Sequence, residues 1–156
     1  MKEFLLYFSI VFFAIFIGSQ ITEGVLLVPY WQYLSSTDFY AYYNKFGPSI
    51  IKFYTILTVI AVLIPISLSV YCKLINSNAL KYSLISSFFT ILFISSVYIY
   101  FNEANESFYQ AAFSDIELKN ELIIWSYWHW GRIIIEFLSL FFLIISVNKL
   151  QNESIS

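Results

Sequence analysis

Four apolar runs dominate this sequence, at residues 4–31, 50–71, 83–101 and 122–147. Each is about as long as a bilayer crossing requires, since a hydrocarbon core roughly 30 Å thick takes about 20 residues at 1.5 Å rise each. In lipid a spanning segment must pair its own backbone groups, so even the third run, rich in β-branched and aromatic residues, reads as helix. The expected fold is all-α: a four-helix transmembrane bundle, one integral membrane domain over residues 1–156, with the lipid bilayer as its main partner. Composition agrees, because a chain that is 60% apolar, 22% aromatic and only 12% charged does not suit water as solvent.

The first run is interrupted by Gln20, Thr22 and Glu23, and the second carries Pro65 as a candidate kink. Residues 1–20 also resemble a leader peptide, with Lys2 ahead of an apolar stretch and Gly18 and Ser19 behind it. No A-x-A-like cleavage site follows and apolar character resumes from Gly24 to Trp31, so a retained helix is expected. Between the first two runs, Phe39, Tyr43 and Phe46 recur at helical spacing. They predict an interfacial helix with its rings at headgroup level, ligand contact being the alternative. Lys2, Lys73, Lys81 and Lys149 fall on one side and Lys45, Lys52 and Lys119 on the other. That balance predicts a multi-pass protein of the cell membrane with both termini cytoplasmic.

Several function classes are disfavoured. Ten acids against eight bases give a net charge of −2, so no basic field exists to recruit nucleic acid. A single cysteine, Cys72, excludes an internal disulfide, and the topology sets it at the opposite membrane face from the single histidine, His129. His129, Cys72 and Met1 are too few to hold haem, copper or structural zinc within one chain, so no metal and no cofactor is expected. The four glycines, Gly18, Gly24, Gly47 and Gly131, form no phosphate-binding loop.

The informative residues are those a membrane should not tolerate. A charge at the bilayer centre costs at least about 2.5–3.5 kcal/mol, so ionisable groups in spans turn inward and pair. In the fourth run Trp125, His129, Arg132 and Glu136 are spaced by four, three and four residues and share one helical stripe. In the first run Gln20 and Glu23 share a face, extended by Phe16 and Tyr30. Antiparallel helices would set Glu23 at the depth of His129 and Arg132. Two readings stay open. Glu23 or Glu136 neutralises Arg132 and the cluster is structural glue; or the cluster faces a cavity where Arg132 binds an oxyanion or phenolate and His129 or Glu23 moves a proton. Trp125, Trp128 and Trp130 suit an aromatic belt, with Trp125 also placed to stack on an aromatic guest. Asn102, Glu103, Asn105 and Glu106 close the same end of the bundle.

Three segments resemble the anthrone oxygenase-like family of four-span membrane proteins: the break from Gly18 to Gly24 followed by V-L-L-V-P-Y-W, the segment from Asn102 to Asn105, and the opening W-S-Y-W-H-W-G-R of the fourth span. The resemblance covers most of the chain. It implies a four-helix bundle with a site near one membrane face and, from fungal relatives, oxidation of anthrones to anthraquinones without an established metal cofactor.

The functional expectation is a membrane protein that binds a small hydrophobic aromatic or quinone-like molecule and oxidises it with molecular oxygen. His129, Arg132 and Glu23 are its candidate catalytic residues, and Gln20, Trp125, Glu136 and Asn105 its candidate ligand contacts. The alternatives are a non-catalytic binding or accessory subunit and a small transporter assembled as a homo-oligomer.

Overall fold

In a computed structural model, which describes residues 2–155, the chain is helical almost throughout and no strand occurs among the described residues. The first span joins α1 (Lys2–Thr22), a π-helical turn (Glu23–Leu27) and α2 (Val28–Tyr33). The second is α3 (Ser36–Leu74). The third joins α4 (Leu80–Ser96), a second π-helical turn (Val97–Phe101) and α5 (Asn102–Tyr109), and the fourth is α6 (Asp115–Ile155). Met1, one of the three residues weighed as metal ligands, lies outside the described residues. Among the described residues, four helical segments are long and apolar enough to cross a membrane: Leu6–Tyr33, Ser36–Leu74, Leu80–Tyr109 and Asp115–Glu153.

Short connections make neighbouring spans antiparallel. Leu34 and Ser35 turn the chain in extended conformation, and the Ser35 hydroxyl caps α3 by accepting from the Asp38 N–H at 3.2 Å. Asn76 takes a left-handed conformation (φ 55°) where α3 ends, a geometry asparagine tolerates better than most residues. At that end the Ser77 hydroxyl and the Asn78 N–H both donate to Glu153, tying the α3–α4 connection to the last turns of α6. At the other end the Tyr40 hydroxyl donates to the Phe113 carbonyl at 2.9 Å, joining the start of α3 to the α5–α6 connection.

Lipid cannot drive helices together by excluding water, so close packing and hydrogen bonds must do so. Serines serve this role between α4 and α6: the Ser86 hydroxyl donates to the Ser139 carbonyl at 2.8 Å, and the Thr90 and Ser139 hydroxyls are 2.8 Å apart. Ser69 and Ser87 pair likewise between α3 and α4 at 2.9 Å. Large apolar side chains such as Phe88, Ile91, Ile134 and Phe141 point outward instead.

Residues 36–49 do not form a separate interfacial helix. They are the first turns of α3, which runs unbroken through Pro48 and Pro65. Phe39 and Tyr43 pack inside the bundle and only Phe46 of the three is exposed, because these positions continue the inward face of a single long helix. The interior forms two apolar clusters. One, toward the termini, contains Phe13, Phe16, Phe93, Leu143 and Val147. The other, toward the α2–α3 and α5–α6 connections, contains Trp31, Phe39, Phe101, Phe108 and Trp125. Gln20 of α1, Glu23 of the π-turn after it, and His129, Arg132 and Glu136 of α6 are buried between these clusters.

Candidate functional site

Glu23 opens the first π-turn and Phe101 closes the second, and both reach the same guanidinium. Arg132 Nη2 donates to Glu23 Oε2 at 3.1 Å, while the guanidinium carbon lies 4.3 Å from the centre of the Phe101 ring and 5.5 Å from that of Trp125. Single π-turns inside α-helices are found often at functional sites, and here two of them converge on one residue.

The same Nη2 also donates to His129 Nδ1 at 2.7 Å. An arginine nitrogen can only donate, so Nδ1 accepts, and His129 Nε2 carries the hydrogen that it gives to the Gln20 carbonyl at 2.9 Å. Both ring nitrogens are thereby occupied, the ring stacks on Trp125 at 5.0 Å, and His129 is fully buried. Gly24 makes this approach possible. A Cβ there would lie 3.0 Å from His129 Cδ2 and 3.1 Å from both Nε2 and Trp130 Cζ2.

Beside Arg132 lies a cavity of about 270 Å³. Gln20, Glu23, Trp125, Asn105 and Arg132 line it, whereas His129 and Glu136 do not. Asn105 Oδ1 accepts from Trp125 Nε1 at 3.3 Å and so fixes that indole in the wall. Among the described residues, three buried polar atoms of residues lining the cavity have no hydrogen-bond partner: Gln20 Oε1, Trp31 Nε1 and Arg132 Nε. Glu136, one turn beyond Arg132, is buried with both carboxylate oxygens equally unpartnered. One guanidinium thus stands among two buried carboxylates. Among the described residues no three His, Cys, Asp or Glu side chains are grouped as a metal-ligand set.

The structure brings Gln20, Glu23, Trp125, His129 and Arg132 together, as their spacing predicts. Tyr30, expected on the face of Gln20 and Glu23, is instead 46% exposed, and Trp31 is buried in its place. The π-turn explains the shift: its wider turn spends one extra residue, so the inward face moves on by one position. Trp31, Tyr54 and Phe101 also line the cavity and were not singled out by spacing as site residues, while Tyr43, for which ligand contact was the alternative to an interfacial place, lines it too. A helical wheel restarted at residue 28 would have found Trp31. Trp128 and Trp130 are partly exposed, as a membrane-interface belt requires, and Trp128 stacks on Tyr100 at 5.0 Å.

Comparison with protein-family models, with curated proteins and with solved structures gives no match for this chain. Its class is therefore set by its own architecture: an all-α bundle of four apolar, membrane-length helices around a buried polar cluster and an adjoining aromatic-walled cavity.

Proposed function

We propose that this protein binds a small aromatic or quinone-like molecule, bearing carbonyl or hydroxyl oxygens, in the cavity beside Arg132. The supporting observation is that Gln20, Trp31 and Arg132, each carrying a buried polar atom with no hydrogen-bond partner among the described residues, line one cavity. Buried polar atoms left unpaired cost about 1–3 kcal/mol each, so a set of them around a single space is balanced by a guest that pairs with them. Trp31 Nε1 and Arg132 Nε are donors and call for acceptor oxygens; Gln20 Oε1 is an acceptor and calls for a hydroxyl. The rings of Trp31, Tyr43, Phe101 and Trp125 offer faces and edges to a flat guest.

Oxidation of the ligand by molecular oxygen, the activity of the anthrone oxygenase-like proteins the chain resembles, extends this reading. In it Glu23, the carboxylate that lines the cavity, takes the proton from the ligand, and Arg132 holds the resulting phenolate. His129, with both nitrogens engaged, positions Arg132. In the cell membrane, the end of the bundle bearing both termini and the α3–α4 connection faces the cytoplasm, a reading supported by the lysines there. Purification in mild detergent followed by mass spectrometry of the organic extract tests the binding proposal. An aromatic compound at about one equivalent per chain is the expected result. An extract holding phospholipid alone, combined with no binding of added quinones, overturns it.

A further inference from the structure

The cavity is open on one side. Thr55 and Val59 of α3 and Tyr98 of the third span line it and are also exposed on the outer surface of the bundle, Val59 at 51% and Tyr98 at 75%. Ile94, half-buried, continues the same edge. These residues frame a slit between the second and third spans, along stretches of both helices that are apolar and so face lipid. Toward the connection end the slit reaches Asn102, which is exposed as well, so its rim is polar there and apolar farther in. Size matters too. About 270 Å³ falls just below the roughly 300–1,000 Å³ typical of sites that enclose a whole small-molecule ligand. An apolar cavity of about 150 Å³ already takes up benzene, so this one has room for a small fused-ring system.

We infer that the ligand has two parts: an oxygen-bearing aromatic ring seated among Gln20, Trp31 and Arg132, and an aliphatic tail that leaves through the Thr55–Val59–Tyr98 slit into the bilayer. This rests on the ring-binding reading above and adds to it the ligand class and the route. The ligand enters sideways from lipid and does not cross water. Because lipid is as apolar as the helix surfaces, the tail contributes little affinity of its own, but it must have an exit.

The test uses the full-length protein in phosphatidylcholine nanodiscs and a set of benzoquinones that differ in one ring substituent: methyl, butyl or decyl. Binding is read as the saturable quenching of tryptophan fluorescence, with ligand expressed as mole fraction in the membrane. An open slit gives dissociation constants within about threefold of one another across the set, as expected where a tail leaves the site into a solvent no different from its own. In Thr55→Phe and Val59→Phe the ratio of decyl to methyl dissociation constants rises tenfold or more. Affinity that falls steeply with tail length in the wild type overturns the inference, as does an unchanged ratio in both variants. If no quinone of any tail length quenches saturably, the ring-binding reading itself fails, and that result is distinct from the other two.

Discussion

Arg132 and His129 share a hydrogen bond of 2.7 Å in which the guanidinium is the donor. That direction assigns the histidine a role its position in the sequence does not: it receives from Arg132 on one side and gives to the Gln20 carbonyl on the other. The imidazole therefore bridges the first and fourth spans and fixes the rotamer of the only arginine.

His129→Gln and His129→Leu separate the bridge from a proton carrier. Glutamine can accept from Arg132 through its oxygen and donate through its nitrogen, so that variant should stay folded and bind quinone within about threefold of wild type. Leucine removes the hydrogen bonds to Arg132 Nη2 and to the Gln20 carbonyl, leaving Nη2 only its bond to Glu23, and should cost about 1–3 kcal/mol. Thermal unfolding in detergent measures both. A His129→Gln protein that is stable and binds ligand, but has lost oxygen consumption shown by the wild type, would restore the histidine to the chemistry.

Glycine 24 offers a steric test. Its Cβ would press on His129 at 3.0 Å, and the His129 ring is buried and held by Arg132, the Gln20 carbonyl and Trp125, so Gly24→Ala should destabilise by about 1–3 kcal/mol. Gly18 and Gly131 face open space, and alanine there should be neutral or stabilising by about 0.4–1 kcal/mol, because alanine has less unfolded-state freedom to lose. Equal melting temperatures for all three variants would mean that the π-turn does not approach His129 this closely.

The spans were legible in the sequence because lipid leaves the backbone a single option, and the polar stripe because charge in a membrane has to turn inward. Trp31 was hidden by the π-turn, which shifts the helical register in a way that composition does not announce. Phe39 and Tyr43 read as interfacial because they lie at helical spacing between the first two apolar runs, although they continue the inward face of α3. The cavity could not be read at all, since its size depends on how far the second span stands from the first and third. Gly47 shows the point: a Cβ there would lie 2.8 Å from the Tyr109 hydroxyl, so the approach of α3 to α5 turns on one absent methyl group.

Topology can be checked directly. Reporter fusions at residues 76 and 150 should report the same compartment, because Ser77 and Asn78 are hydrogen-bonded to Glu153, and a fusion near 112 should report the other. The lysine distribution makes the first compartment the cytoplasm. A fusion at 112 that agreed with the one at 76 would require a different number of crossings.

The two carboxylates around Arg132 differ in contact, and their substitutions should differ in consequence. Glu23 touches the guanidinium at 3.1 Å, while Glu136 has no partner for either oxygen. Glu23→Gln keeps a hydrogen-bond acceptor near Arg132 but removes its contact charge, and should cost about 1–3 kcal/mol. Glu136→Gln removes a carboxylate that no hydrogen bond satisfies, and should change stability by less than about 1 kcal/mol. In either single variant one carboxylate still offsets the guanidinium across a turn or less. The double variant leaves Arg132 buried among aromatic rings with no negative charge beside it, a state in which loss of a pair costs about 3–5 kcal/mol. Its destabilisation should therefore exceed the sum of the singles by more than about 1 kcal/mol, where independent sites add to within about 0.3–0.5 kcal/mol. Additivity within that margin, measured by thermal or urea unfolding in the same detergent, would show that Glu136 does not share the arginine and that Glu23 alone carries its charge.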